Sequence, residues 1–316
     1  MFIDIHRFNF EWEIMEWFYK IGTKFGDFFF FFVSEFGASI GILAIITMIY
    51  WCINKEKGEK IAFISFVGMN LNSLLKGCFI ARRPFQYSNK EYLRKLDGSI
   101  LSDGASGTSF PSGHSQGSGT LYTTIFQYFK KKWVRILTIS FIVLIPVSRL
   151  YLGVHFPIDV IVGSIIGILI SIVFSKIINK YYKNKYIVYI ISVSILIPFL
   201  FFSNKGNIEL LGMSKDFYKG MGVMCGCILG VFLEEKYVKF DIAKSRKTNI
   251  LRYIFGIIVM LVIYLGVHVI NHLDFIENIY WLLYLSNFIT HAVIAVSAIS
   301  FVPYLFTKIP FLKEGN

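Results

Sequence analysis

Charge is scarce in this chain: 16% of its 316 residues are Asp, Glu, Lys or Arg, while 55% are hydrophobic. A water-soluble domain usually carries about 25% charge, so that class is excluded and the lipid bilayer is the expected solvent. Cysteine is scarce too. Cys52, Cys78, Cys225 and Cys227 fall in or beside apolar runs without metal-ligand spacing, and they read as small buried hydrophobes. No cluster of carboxylates is present to bind a metal ion. The N-terminus lacks the basic-then-apolar order of a cleavable signal peptide. A net charge of +12 would suit a nucleic-acid partner if it lay on one soluble face. Here it is distributed between hydrophobic runs and reads as membrane topology, with no nucleic-acid partner expected.

What the chain does have is aromatic and apolar length, including 33 Phe and 18 Tyr, which suit lipid-facing surfaces and interfacial belts. A membrane helix needs about 20 apolar residues, somewhat fewer inside a bundle. That ruler predicts an all-α integral membrane bundle of about nine transmembrane helices, near 34–53, 61–80, 113–129, 134–150, 156–177, 186–203, 218–233, 252–271 and 279–306. Residues 1–33 are predicted to be an interfacial N-terminal segment. Within it, Trp12, Trp17 and Phe18 alternate with Glu11, Glu13 and Glu16 as in an amphipathic helix on a membrane surface. Five helices over 34–177 form the expected core, and 178–316 a further membrane region of about four helices.

Loop charge sets the orientation. The loops after odd-numbered segments hold Lys55, Lys57 and Lys60, then Lys130 to Lys132 and Arg135, then Lys176, Lys180, Lys183 and Lys185, with further Lys and Arg at 236–252 and 308–313. The loops on the other side are close to neutral. Lys and Arg favour the cytoplasm, so the N-terminus is expected outside and the C-terminus inside. Gly163 and Gly167, and Gly222, Gly226 and Gly230, have the spacing of close helix packing, but scattered glycine in a tolerant environment accounts for them equally well.

Three polar clusters fall at the predicted extracytoplasmic helix ends. Lys76, Arg82, Arg83 and Pro84 end the second helix, Ser109 to His114 open the third, and Ser148, Arg149, His155 and Asp159 join the fourth to the fifth. Ionisable residues at membrane depth are functional by default. Lys76, Arg83 and Arg149 supply fixed positive charge, and arginine forks match phosphate oxygens. Ser112 and Gly113 follow Pro111 at a helix start, whose free N–H groups favour an anion. His155 and Asp159 are four apart, so the carboxylate can fix the imidazole tautomer and leave the other nitrogen to attack, although Pro157 makes a regular turn between them uncertain. His114 suits a general acid toward a leaving oxygen. The pattern describes metal-independent phosphoryl chemistry.

Lys76 and Arg83-Pro84, then Pro111-Ser112-Gly113-His114, then Ser148-Arg149 with His155 and Asp159, resemble in order and spacing the three-part pattern of the phosphatidic acid phosphatase type 2 superfamily. The resemblance covers residues 76–159. It implies a phosphohistidine on His155 polarised by Asp159, His114 as acid, and Lys76, Arg83, Ser112, Gly113 and Arg149 on the phosphate. It implies no cofactor. The expected partner is a membrane lipid phosphate or prenyl diphosphate, cleaved at the outer face of the cell membrane. A soluble sugar phosphate, head-group transfer and non-catalytic transport of anionic lipid are the rival readings.

Other features read more plainly. Arg82 is expected to be a loop charge, and the polar third helix, with Ser115, Gln116, Ser118, Thr120 and Thr124, a buried one. His268 and His272 near Asp274 read as interfacial histidines ahead of a metal pair. His291 with Asn287 reads as an interhelical contact, and the 85–110 loop as either a gate or a solvated loop.

Overall fold

Hydropathy this high leaves backbone groups no water to bond, and helices satisfy them internally. The computed structural model describes residues 3–4, 7–87, 107–201, 208–271, 274–277 and 279–313, and these are helical apart from connections and one two-residue parallel pairing, Ile3–Asp4 (β1) with Phe79–Ile80 (β2). The helices are α1 (Asn9–Lys20), α2 (Lys24–Glu35), α3 (Ser39–Cys52), α4 (Lys55–Cys78), α5 (Gly113–Tyr128), α6 (Lys132–Tyr151), α7 (Pro157–Tyr181), α8 (Lys185–Leu196), α9 (Ile208–Leu233), α10 (Arg246–Asn271), α11 (Asp274–Glu277), α12 (Tyr280–Val296) and α13 (Val302–Lys308).

Among the described residues, six helical stretches are long and apolar enough to cross a membrane: Lys55–Cys78, Lys132–Tyr151, Pro157–Leu200, Ser214–Val238, Arg246–Asn271 and Tyr280–Lys308. The pair α2 and α3 adds a seventh if taken as one span. Two differences separate this from the nine segments expected. Helix α5 has 16 residues and a polar sequence, so it fails a test of length and hydropathy. The stretch Pro157–Leu200 runs for 44 residues, about 66 Å at helical rise and twice a bilayer core. It holds two of the expected segments, interrupted by the 3₁₀ turn Tyr182–Asn184.

The chain forms two compact units. The first comprises residues 1–42, 71–176 and 207–213, the second 43–70, 177–206 and 214–316. In the first unit α5 is the central helix. Ser115, Gln116, Ser118, Thr120 and Thr124 are all buried, as the sequence predicts. Their polar atoms are paired locally: Thr120 Oγ1 donates to Gln116 O at 2.9 Å, and Thr124 Oγ1 meets Ser171 Oγ at 2.8 Å. Asn72 Nδ2 of α4 donates to Gln116 Oε1 at 2.9 Å. Against α5, the backbone of α7 comes as close as a missing side chain permits. A methyl at Gly167 would land on Gln116 O, and one at Gly163 would stand 2.7 Å from Ser112 O. The Gly163/Gly167 spacing is therefore a packing device.

The N-terminal helices close around the same unit. Thr23 caps α2, its Oγ1 accepting from Gly26 N at 3.0 Å, while its own N–H donates to Tyr151 Oη of α6 at 2.9 Å. Helix α1 differs from the amphipathic surface pattern in one respect. Glu11 is fully buried and accepts from Phe8 N at 3.1 Å and from Ile158 N, in the first turn of α7, at 3.2 Å. Trp12 and Met15 pack on Phe156.

In the second unit, Gly222 and Gly226 of α9 meet the carbonyls of Phe288 and Ala292 on α12 in the same backbone-to-backbone manner. Trp51 lies over Gly256 and donates from Nε1 to Ala298 O at 2.8 Å. Buried Glu59 accepts from Lys185 Nζ at 2.6 Å and Tyr189 Oη at 2.8 Å. Glu234 pairs with Lys55 at 2.6 Å. His291 bonds Asn287 O of its own helix at 2.9 Å, so the expected interhelical contact is made by neighbours instead, Asn271 Nδ2 donating to Thr290 Oγ1 at 3.1 Å. Cys227 is buried but Cys78 is exposed, unlike the expectation for all four cysteines. His272 and the side chain of Asp274 lie outside the described residues, as do 88–106 of the 85–110 loop.

The close approach of α5 and α7 has a measurable cost when it is blocked. Gly167→Ala should destabilise the protein by about 1–3 kcal/mol, because two backbones must part. Gly266→Ala, in α10 with nothing within 4 Å of the added methyl, should stabilise it by about 0.5–1 kcal/mol. Apparent melting temperatures in detergent check both; equal shifts would contradict the packing role of Gly167.

Candidate active site

The three polar clusters of the sequence meet in the first unit, each placed by a helix end. Lys76 lies in the last turn of α4. Ser112 caps α5, its Oγ accepting from Ser115 Oγ at 2.9 Å, and its own N–H donates to Asp159 O at 3.0 Å. Arg149 lies in the last turn of α6. Helix α7 opens at Pro157, where a missing N–H costs nothing. His155 therefore precedes the helix and Asp159 is its third residue, with its carboxylate accepting from Phe156 N at 2.9 Å. This settles the turn that Pro157 left uncertain.

His155 is 2% exposed and Asp159 is fully buried. His155 Nδ1 and Asp159 Oδ2 are 3.6 Å apart, too far for a direct hydrogen bond. Ser109 stands between them, with Oγ 3.3 Å from Nδ1 and 2.5 Å from Oδ2. On the other side of the ring, Nε2 lies 3.2 Å from Arg83 Nη1. Arginine can only donate, so Nε2 is the acceptor and Nδ1 carries the proton. The bonds then run in one sense: Arg83 donates to Nε2, Nδ1–H to Ser109 Oγ, and Ser109 O–H to Asp159.

The expected phosphate-binding residues are fixed from behind. Arg83 donates from Nε to Gly107 O at 3.0 Å and from Nη1 to Val154 O at 3.1 Å. Lys76 Nζ donates to Thr108 O at 2.7 Å, and Arg149 Nη1 to Ser34 Oγ at 2.5 Å. A methyl at Gly113 would stand 3.1 Å from Asn72 Oδ1 and 3.9 Å from Lys76 Cε. His114 stands on the first turn of α5 within electrostatic reach of Arg149, His155, Arg83 and Lys76. Burial pulls the Arg83 guanidinium down to about 10, with Asp159 opposing the shift. Burial, reinforced by Arg83, holds His155 well below the ordinary histidine value, so its ring is neutral at pH 7.

Sequence reasoning missed two groups and gave a third no role. Arg7 donates to Asp159 from Nη1 at 2.8 Å and from Nη2 at 3.3 Å, across 152 positions of sequence. Glu11 lies 3.6 Å from Arg7. No local spacing links either to the motifs. Ser109 sits within a motif-bearing stretch, but nothing in its position identified it as the bridge. Arg82 is exposed, as expected of a loop charge.

A family model described as the PAP2 superfamily matches residues 60–183, which contain all the motif residues. A second, described as PAP2 superfamily phosphatase, transmembrane extension, matches residues 218–314. The chain is 33% identical over 137 residues to an undecaprenyl-diphosphatase of Sulfolobus acidocaldarius, covering 42% of this chain and 61% of the relative. It is 26% identical over 162 residues to a lipid A 4'-phosphatase of Bacteroides thetaiotaomicron, covering 48% of this chain and 70% of that one. Among solved structures, Aquifex aeolicus LpxE aligns with a TM-score of 0.45 at 24% identity, over 55% of this chain and 99% of that one. A phosphatidylglycerolphosphate phosphatase of Bacillus subtilis aligns at 0.43 and 24%, over 55% and 89%. The two family models together span most of the chain, the first of them carries every residue gathered around His155, and the chain belongs to the PAP2 superfamily.

Proposed function

We propose that this chain is a metal-independent membrane phosphatase that hydrolyses a lipid phosphomonoester or diphosphate at the extracytoplasmic face through a phosphohistidine. The observation that carries the reading is the environment of His155: a buried ring with Nε2 turned to Arg83 and Nδ1 turned through Ser109 to Asp159. A phosphoryl oxygen replaces Nε2 as the acceptor from Arg83, which frees the Nε2 lone pair to attack phosphorus. The P–N bond forms as the P–O bond breaks, and His114 gives its proton to the departing oxygen. Water then attacks the phosphohistidine, His114 takes up a proton, and phosphate leaves.

Lys76, Arg83 and Arg149, with the amides of Ser112 and Gly113, neutralise and orient the equatorial oxygens. The positive charge gained by the phosphorylated imidazole is offset by Asp159 through Ser109. Asp159 is engaged by Arg7, Ser109 and Phe156 N–H, so it serves the histidine in place of a metal ion.

The lipid class is supported by the two relatives, whose names specify phosphorylated amphiphiles. The membrane reading takes the nine helical segments as spans, α5 included, with the N-terminus outside and the C-terminus in the cytoplasm of a cell membrane. It is supported by the location of the site residues at the C-terminal end of α4 and the N-terminal ends of α5 and α7. The opposite end of α4 carries Lys55 and Lys60, beside the acidic Glu234 and Glu56.

Two measurements test the proposal. Detergent-purified protein in EDTA should release phosphate from at least one member of a panel of lipid phosphates and diphosphates, and His155→Ala should lower the rate by about a thousandfold or more. Release from soluble sugar phosphates alone would replace the substrate class, capture by an alcohol would mark a transferase, and binding without turnover would mark a transporter. Attack requires neutral His155. Because its basicity is depressed, the acid limb of kcat/KM should fall below the ordinary histidine midpoint of about pH 6.5. A limb at or above that value would remove His155 as the nucleophile.

A further inference from the structure

The N-terminal segment carries a cation into the centre of the site. Arg7 has a side chain 3% exposed and forms a two-pronged pair with a carboxylate that is fully buried. Its guanidinium also stacks 4.2 Å above the ring of Phe156, the residue after His155, and donates to Arg82 O at 3.4 Å. The segment is anchored a second time by Glu11, which accepts from Ile158 N at the start of α7. Both anchors lie on the short stretch that presents His155 and Asp159.

We infer that Arg7 is a positioning residue for the reaction, setting both the direction and the effective charge of Asp159 and so the basicity of His155. The inference rests on the phosphatase reading given above. An ionised carboxylate beside an imidazole favours the protonated ring. Arg7 moderates that influence by sharing the carboxylate's charge, while its fork holds the oxygens so that Oδ2 faces Ser109 and Phe156 N–H. The other charged or titratable groups near His155 are Arg83, Arg149 and His114, and Arg7 holds the Asp159 carboxylate at 2.8 Å. Without Arg7, the Asp159 carboxylate loses the cation that shares its charge, and the ring gains a proton at higher pH. A nucleophile protonated near neutrality is an idle one.

The test is the titration of the His155 imidazole, read by side-chain nitrogen NMR of the full-length protein in detergent without substrate, and assigned by its loss in His155→Gln. Arg7→Ala should raise the midpoint by about one to two pH units, Arg7→Lys should stay close to wild type, and the acid limb of kcat/KM should move upward with the midpoint. Arg7→Gln reads the same quantity if Arg7→Ala does not fold. In an Asp159→Asn background, Arg7→Ala should leave the midpoint where it was. A wild-type midpoint in both Arg7→Ala and Arg7→Gln would overturn the inference, even if activity fell at all pH values, since a purely structural role lowers rate without moving the limb. Absence of phosphate release by wild-type protein would instead defeat the phosphatase reading, and the titration distinguishes the two failures.

Discussion

The first unit is organised around one buried carboxylate. Asp159 has no exposed surface, and an ionised group removed from water is costly unless it is paired and fully hydrogen-bonded. Its partners come from three separate stretches: Arg7 from the N-terminal segment, Ser109 from the chain leading into α5, and Phe156 N–H from its own helix start. Each of these stretches must be in place for the charge to be tolerated. The same bonds orient His155 through Ser109, so the requirement to bury Asp159 and the requirement to aim His155 are met by one arrangement.

Two further constraints make that arrangement stiff. Ser112 N–H donates to Asp159 O, and Gly163 and Gly167 let the backbone of α7 lie directly on that of α5. The proposed phosphate-binding helix start and the proposed nucleophile loop are thus fixed to each other through main chain, without long side chains between them. Catalysis by prearranged charge depends on such fixity, because groups already in place need not reorganise as the transition state forms. Buried Arg83 and Arg149 repel each other, and in the proposed reaction the phosphoryl group offsets that repulsion.

How much of this was legible in the sequence follows from the range of each interaction. Lys76, Arg83, Ser112, Gly113, His114, Arg149, His155 and Asp159 were recognisable because polar residues at apolar helix ends stand out locally, and the burial of α5 followed from its Ser and Thr content in a chain otherwise so apolar. The bond between Arg7 and Asp159 joins positions 152 apart and leaves no periodic trace. Glu11 was hidden by its context: beside Glu13 and Glu16 it reads as one more residue of a wetted face, and only the first turn of α7 distinguishes it. Hydropathy also says little about α5, because a helix shielded by other helices need not be apolar. The glycine spacings carried two equal readings in the sequence, and the carbonyls opposite Gly167, Gly222 and Gly226 decide for packing.

The proposed role of His155 as nucleophile sets opposing demands, and its surroundings can be understood as their reconciliation. Attack needs a neutral ring, which burial and Arg83 favour. The proposed phosphorylation would place positive charge on that ring, which a carboxylate must then offset. A bare buried Asp159 would meet the second demand and defeat the first by drawing a proton onto the resting imidazole. Bonded to Arg7, it keeps its geometry and part of its charge while its pull on the proton is weakened. Ser109 adds a further moderation, since a carboxylate reached through a hydroxyl at 3.6 Å from Nδ1 acts more weakly than one in direct contact. The Arg7–Asp159–Ser109 series therefore suits a ring that must begin neutral and end charged, a property that none of its members supplies alone.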